Sequence, residues 1–246
     1  MARRIRIAAV LAVVLAAAAL LLLLLNGMII PNQITAESYP VHGVDVSNWQ
    51  GDIDWDVLSG QGISFAFIKA TEGSTFVDAR FSQNWERAQE SGLRIGAYHF
   101  FSYDSPGATQ ANHFIRTVPA CENMLPPVID LEFYGDKAKN PPPRDTVRAE
   151  LDDMIDALEN HYGVPPIIYA TGKSYNLYLS GAYEDCDIWL RSVWLPPRTS
   201  DQRAWTFWQY TDRAKLPGYD GAEKFIDMNV FHGSRAEFAE YGLAVR

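Results

Sequence analysis

The sequence is poor in the residues that build disulfide scaffolds and metal centres. Its 246 residues include two cysteines and five histidines. Cys121 and Cys186 are too few for a disulfide framework and lack the C-x-x-C spacing of a metal or redox site. They fall in different expected loops, so a disulfide in an oxidising compartment and two buried free thiols both stay open. We expect no metal site and no organic cofactor.

Several catalytic signatures and an excess of basic charge are also missing. The chain has no G-x-S-x-G, no phosphate-binding loop and no histidine-rich metal spacing, which gives no support to a serine hydrolase, an NTPase or a zinc amidase. Lys and Arg number 21 against 30 Asp and Glu, for a net charge of −9. Nucleic-acid binding requires a basic surface, so we expect no nucleic-acid partner.

A long apolar run is present at the N-terminus. Residues 7–25 contain only Ala, Val, Leu and Ile and follow Arg3, Arg4 and Arg6. As a helix this run spans about 28 Å, close to the hydrocarbon thickness of a bilayer. No small-x-small cleavage site follows it, which favours an uncleaved anchor over a removed signal peptide. The arginines would stay in the cytoplasm, so either alternative places the remaining chain outside it, periplasmic, extracellular or secreted.

We therefore divide the chain into a signal anchor at residues 1–27, a linker at 28–41 and one domain at 42–246. Within the domain, short apolar runs alternate with helical patterns, as in β/α units. Helices are expected at 78–91, 108–118 and 145–162, and a capping box starts a last one at Ser234. The expected strands are 43–47, 63–69, 94–102, 127–132, 166–171, 187–193, 205–210 and 225–230. This pattern predicts an α/β, TIM-like closed barrel whose first five strands are wrapped by helices and whose last three are barer. A monomer is expected.

Two acids end the fourth of these strands. Side chains alternate along a strand, so Asp130 and Glu132 share one face while Ile129 and Leu131 share the other. The preceding residues 125–129 are apolar or Pro, which indicates a buried strand. A buried carboxyl pair at the C-terminal end of a barrel strand is typical of a glycosidase, in which one raised pKa supplies the general acid.

Other side chains are expected at the same rim. Asp45 and Asp227 lie on the first and last strands, which are neighbours in a closed barrel. Aromatic planes stack on sugar rings, and the candidate substrate contacts are Tyr98, Tyr169, Trp189, Trp208 and Lys69. Lys69 could also pair with Glu72. His99 alternates to the opposite face from Tyr98, where a core role is expected.

The chain resembles the family-25 glycoside hydrolases, the lysozyme-type muramidases, through motifs that follow in order. They are HGVDVSNWQG at 42–51, IDW at 53–55, FIKATEG at 67–73, GAYHF at 96–100, VIDLE at 128–132, IIY at 167–169, WQY at 208–210 and IDMN at 226–229. One departure is Arg191, where the family commonly has a small residue. The resemblance implies five β/α units followed by three β-strands, and hydrolysis of the β-1,4 bond from N-acetylmuramic acid to N-acetylglucosamine with retention.

The resemblance also implies a role for each acid and peptidoglycan glycan strands as partner. Glu132 is expected as general acid/base, with Asp130, Asp45 and Asp227 completing the cleft. Asp130 would either assist the substrate's own 2-acetamido group or attack directly, and the sequence leaves both routes open. Two other functions also stay open: a non-catalytic glycan-binding domain, and a hydrolase of another amino-sugar polymer such as chitin.

Overall fold

The computed structural model describes residues 2–242, and in this part of the chain eight strands close into a barrel. A ninth strand, β3, is a two-residue edge that pairs with β2. The strands are β1 His42–Val46, β2 Ile63–Glu72, β3 Phe76–Val77, β4 Arg94–Phe100, β5 Val128–Leu131, β6 Ile167–Thr171, β7 Ile188–Arg191, β8 Phe207–Ala214 and β9 Ile226–Phe231. The barrel order is β1-β2-β4-β5-β6-β7-β8-β9, and β9 pairs back with β1.

Helices follow the first five barrel strands, as predicted, and the connections between the last three contain none in the described residues. The helices are α1 Ala2–Leu25, α2 Gln33–Ala36, α3 Trp55–Ser59, α4 Phe81–Glu90, α5 Gly107–Thr117, α6 Arg144–Tyr162, α7 Gly172–Ser174 and α8 Arg235–Glu240, with a 3₁₀ turn at Asn48–Gln50 and a π turn at Tyr175–Leu179. The expected capping box at Ser234 is present, since its side chain accepts from the Glu237 N–H. The fold class is confirmed.

The direction of β9 was not predicted. Strands β1 to β8 of the barrel run parallel, whereas β9 is antiparallel to both β8 and β1. An antiparallel strand begins at the rim where parallel strands end. Asp227, the second residue of β9, therefore lies at the C-terminal rim, directly opposite Asp45 in the β1–β9 register.

Large aromatic side chains fill the barrel interior, and glycines make room for them. Phe65 and Phe67 of β2 are fully buried inside. A Cβ on Gly43 of β1 would lie 2.4 Å from the Phe65 ring, and one on Gly96 of β4 would lie 2.7 Å from the Phe67 ring. The packed interior supports the polar layer at the rim above it.

The expected linker is folded against the barrel. Asn32 is buried and its amide donates to the carbonyls of Ser192 and Tyr210, at 2.9 and 3.2 Å. Tyr39 packs edge-on against the indole of Trp208, with ring centroids 6.3 Å apart. This segment, which contains α2, covers the outer face of β7 and β8, and no helix joins these two strands in the described residues.

Both cysteines are free thiols. Cys121 is half-buried and Cys186 is buried, and burial raises the pKa of the Cys186 thiol to about 12. The free-thiol alternative therefore describes this structure.

Candidate active site

A small cavity of about 90 Å³ opens at the C-terminal rim of the barrel. It adjoins a longer groove of about 610 Å³, with which it shares Asp45, Tyr98 and Asp227. All four acids proposed from the sequence line it, together with aromatic and amide side chains: Asp45, Tyr98, Asp130, Glu132, Tyr169, Trp189, Gln209 and Asp227. The cavity and groove together give an acidic, aromatic cleft of the kind that holds a glycan.

Strand β5 and the residue that follows it present Asp130 and Glu132 to this cavity. Ile129 and Leu131 alternate to the outside, where both are fully buried beneath the helices. Asp130 is also buried, and its Oδ1 has no hydrogen-bond partner in the protein. The prediction that the two acids face the same hollow is confirmed by their shared cavity.

Burial changes the acidity of this pair. It raises the pKa of Asp130 well above its usual value, and the neighbouring Glu132 carboxylate adds to the effect while Lys69 opposes it. Burial also raises the pKa of Glu132, against the opposing charge of Arg191. Each carboxyl therefore holds a proton at a higher pH than an exposed acid, which suits proton donation near neutrality.

Asp45 and Asp227 form a second acidic pair across the β1–β9 seam. The Gln209 side-chain amide donates to Asp45 Oδ2 at 2.9 Å and to Asp227 Oδ2 at 3.3 Å, and Asn229 donates to Asp45 Oδ2 at 2.8 Å. Burial raises the pKa of Asp45, while the donors from Asn229 and Gln209 lower it. The pKa of Asp227 is raised well above its usual value by burial and by the charge of Asp45.

The side-chain amides of Gln209 and Asn229 belong to a chain of hydrogen bonds that was not predicted from the sequence. Trp189 Nε1 donates to Asn229 Oδ1 at 2.8 Å, and the Tyr169 hydroxyl donates to Gln209 Oε1 at 3.0 Å. Each amide oxygen accepts from an aromatic side chain, so each amide nitrogen must point at Asp45. A signal was available, because Gln209 and Asn229 lie within the WQY and IDMN motifs, and Asn229 alternates to the same face as Asp227.

Two cations lie beside the acids and are already paired. Lys69 Nζ lies 2.8 Å from Glu72 Oε2 and 4.9 Å above the centre of the Phe100 ring, so the expected Lys69–Glu72 ion pair is present. Arg191 Nη2 lies 2.6 Å from Asp212 Oδ2. Arg191 follows Trp189 by two positions on β7 and therefore shares its inward face. Lys69 is absent from the cavity lining and acts on it through its charge.

Of the four aromatic side chains expected at the rim, three line the cavity and one lies elsewhere. Tyr98, Tyr169 and Trp189 line the cavity. Trp208 does not: it is fully buried on the outside of the barrel, and its indole N–H donates to the Ser192 carbonyl at 2.9 Å. The reason is strand alternation, since Gln209 takes the inward position on β8 and its neighbour must face out.

His99 takes the core role that was expected. It is fully buried, its Nδ1 lies 2.7 Å from the Thr71 hydroxyl, and its Nε2 lies 3.0 Å from Gln110 Oε1. Burial lowers the pKa of His99 to about 4, so the ring is neutral at pH 7.

Comparison with known proteins agrees with this site and fold. The family model described as glycosyl hydrolases family 25 matches residues 44–219. A family 25 glycosyl hydrolase from Bacillus anthracis is 57% identical, with a TM-score of 0.81 over 84% of this chain and 95% of that one. A bacterial lysozyme from Streptomyces coelicolor is 32% identical, with a TM-score of 0.75 over 82% and 96% of the two chains.

A curated relative agrees as well. Lysozyme M1 from Streptomyces globisporus is 33% identical over 217 residues, which cover 82% of this chain and 71% of that protein. The family model spans well over half of the chain, and the Bacillus anthracis structure covers 84% of it. The protein therefore belongs to glycosyl hydrolase family 25 and is a glycoside hydrolase.

Proposed function

We propose that this protein is a peptidoglycan hydrolase, a muramidase that cleaves the β-1,4 bond between N-acetylmuramic acid and N-acetylglucosamine with retention. The observation that carries the proposal is that Asp130 and Glu132, at the end of β5, open into one cavity with Asp45 and Asp227. Relatives named lysozyme and N,O-diacetylmuramidase support the choice of substrate.

Glu132 is the general acid and base of the proposed reaction. Its raised pKa keeps a proton on the carboxyl for transfer to the glycosidic oxygen as the bond from that oxygen to the anomeric carbon breaks. The resulting carboxylate then accepts a proton from water, whose oxygen attacks the anomeric carbon on the face that the leaving group vacated. The nearby Arg191 charge stabilises the carboxylate between these two steps.

Asp130 assists the substrate's 2-acetamido group. The acetamido carbonyl oxygen attacks the anomeric carbon as the leaving sugar departs, and the acetamido N–H needs an acceptor. Asp130 Oδ1 is buried and without a partner in the protein, so it is free to accept that N–H. Accepting a donor favours the ionised form of Asp130, and its negative charge favours the protonated form of the neighbouring Glu132.

Asp45 and Asp227 position the sugar at the other side of the cavity. Asp45 Oδ2 is held by two amides, and this fixes its carboxyl plane before substrate arrives. Positioning by residues that are themselves locked is what sites of this kind require. Tyr98, Tyr169 and Trp189 supply the apolar walls against which sugar faces pack.

The same proposal places the enzyme on a membrane. Within the helix from Arg3 to Leu25, an 18-residue stretch has a mean hydropathy of 3.1, and none of that stretch is buried. Arg3, Arg4 and Arg6 would stay in the cytoplasm, and the barrel would face the periplasm or the exterior. Intact-mass analysis of the membrane fraction would check that this segment is retained.

The decisive experiment is Glu132→Gln in the full chain, with Glu159→Gln on the exposed face of α6 as the matched control. Glu132→Gln should reduce release of soluble muropeptides from purified peptidoglycan by about a thousandfold or more, because no proton donor remains. Glu159→Gln should match the wild type. Substantial lysis by Glu132→Gln would refute the assignment.

Product analysis tests the bond and the substrate. After borohydride reduction, mass spectrometry should show reduced N-acetylmuramic acid at the new ends. Reduced N-acetylglucosamine, or faster cleavage of chito-oligomers, would instead indicate a different amino-sugar bond. Inhibition by a thiazoline analogue of the cyclised acetamido group would favour substrate assistance over direct attack by Asp130.

A further inference from the structure

Helix α1 ends in a well-defined C-terminal capping motif. Gly27 has a positive φ of 64°, its N–H donates to the Leu24 carbonyl at 3.1 Å, and the Met28 N–H donates to the Leu23 carbonyl at 2.9 Å. These two bonds form a Schellman motif, which satisfies the last carbonyls of a helix and reverses the chain. The apolar helix therefore ends at a fixed place, just before the folded domain.

The C-terminal end of α1 contacts the rim of the barrel that carries the active site. A Cβ on Gly27 would lie 2.1 Å from the Arg213 carbonyl oxygen, so only glycine allows this approach to β8. In return, Arg213 Nη1 donates to the Leu25 carbonyl at 2.8 Å. Asp212 and Arg213 line both the substrate groove and the small cavity beside Leu24. The helix end and the groove are therefore separated by one pair of residues.

Exposed apolar side chains surround this junction. Met28 is 69% exposed, Trp194 63% and Leu195 70%, and Ile29 is partly exposed. Trp194 and Ile29 line the same small cavity as Leu24, which makes them continuous with the apolar helix. We call Met28, Ile29, Trp194 and Leu195 the juxtamembrane patch. Exposed apolar side chains grouped in this way mark a contact site for a protein or a membrane.

Basic side chains lie next to the patch although the chain as a whole is acidic. Arg213, Lys215 and Lys224 surround the Phe225 ring, with cationic groups 5.7, 5.4 and 4.8 Å from its centre. Lys215 and Lys224 are exposed. Cations beside an apolar patch match the layered chemistry of a bilayer surface, in which phosphates lie above acyl chains.

The length of α1 fixes the depth of the patch. Its span of 24 residues covers about 36 Å, against about 30 Å of hydrocarbon, so both helix ends reach the headgroup region. Side chains that contact Leu24 must lie at that level as well. Tryptophan is enriched at this depth, because its ring is apolar and its N–H is polar.

We propose that the juxtamembrane patch is a lipid-contact surface, which seats the barrel on the bilayer beside α1 and holds the substrate groove at the membrane surface. The inference rests on the proposed membrane anchor. The substrate class that follows is glycan at the membrane surface, including strands still attached to a lipid carrier. Glycan in outer layers of a wall lies beyond the reach of a groove held in this way.

Lipid contact can be measured in the full chain, reconstituted in liposomes of phosphatidylcholine and phosphatidylglycerol. A nitrobenzoxadiazole label at Leu195→Cys, in a Cys121→Ser background, is compared with one at Glu90→Cys, which is exposed at the C-terminal end of α4 on the opposite rim. Lipids that carry a spin label at the headgroup should quench the fluorescence of the label at Leu195→Cys at least about twice as strongly as that of the label at Glu90→Cys. Equal quenching at both positions, or none at Leu195→Cys, would overturn the proposal. Catalysis is not involved, so a failure of the proposed function would leave this result unchanged.

The consequence for substrate is tested with Trp194→Ser combined with Leu195→Ser. Neither residue lines the active-site cavity or the substrate groove, and hydrolysis of soluble glycan fragments should match the wild type, which also reports correct folding. Cleavage of a lipid-linked glycan in the same liposomes should fall severalfold relative to the soluble substrate. An unchanged ratio of the two rates would contradict the orienting role of the patch.

Discussion

Replacing Asp130 by asparagine should make the protein more stable at neutral pH while it removes activity. Asp130 is 6% exposed, and its Oδ1 has no hydrogen-bond partner in the protein. A buried polar atom without a partner costs about 1–3 kcal/mol, and a charged one more. Asparagine has the same shape and still leaves one atom without a partner, but it removes the extra cost of the buried charge. We therefore expect the free energy of unfolding to rise by about 1–3 kcal/mol, or roughly 2–12 °C in Tm for a domain of this size.

The gain should depend on pH in a defined direction. Burial and Glu132 raise the pKa of Asp130 in the folded protein above its value in the unfolded chain. Below the unfolded pKa the carboxyl is protonated in both states, so it carries no charge penalty. As pH rises through the folded pKa the wild type loses this stability, whereas the Asp130→Asn variant does not. The difference between the two proteins should therefore be small near pH 4 and largest at pH 7 to 8.

The assay is thermal unfolding of the full chain in mild detergent, followed by near-UV circular dichroism from pH 4 to 8. Asp153→Asn, on the exposed face of α6, is the matched control and should stay within about 0.5 kcal/mol of the wild type. A destabilised Asp130→Asn variant, or a difference that does not shrink on acidification, would show that Asp130 is not a buried, strained carboxyl.

Three further substitutions test the site and the core. Gln209→Met removes the one amide that donates to both Asp45 and Asp227, and we expect kcat to fall about 10- to 150-fold, measured by muropeptide release. A fall below threefold would contradict a role for this amide in catalysis. Trp208→Phe should leave kcat within about twofold of the wild-type value, because Trp208 lies on the outside of the barrel. A tenfold loss of kcat would indicate that Trp208 contacts the substrate after all. Gly96→Ala should cost about 1–3 kcal/mol through overpacking against Phe67, read by urea unfolding, while Gly172→Ala, with open space around it, should not.

Much of the barrel could be predicted because its periodicity is local. Apolar alternation around Asp130 and Glu132 identifies both the strand and the face on which the acids lie. The helical stripe of α6 is equally explicit, from Val147 to Leu158. Features of this kind need only a few neighbouring residues, so a single sequence is sufficient to find them.

The parts that were missed depend on contacts between distant segments. Nothing near Asp227 specifies that β9 runs antiparallel, since alternation is the same in either direction. The face of Trp208 is equally hard to predict, because large aromatic residues lie on both faces of β8, with Phe207 inside and Tyr210 outside. The donors Gln209 and Asn229 gain their role only when the barrel closes and brings them to Asp45.

The covering of β7 and β8 by the N-terminal segment has a practical consequence for expression. The family match starts at residue 44, and a soluble fragment trimmed to that boundary would lose Asn32, Ala36 and Tyr39. The indole of Trp208 and the ring of Tyr210, both on the outer face of β8, would then be exposed to water and would favour aggregation. A fragment that begins near residue 28 keeps this cover, and it is the shortest version that we expect to remain monodisperse.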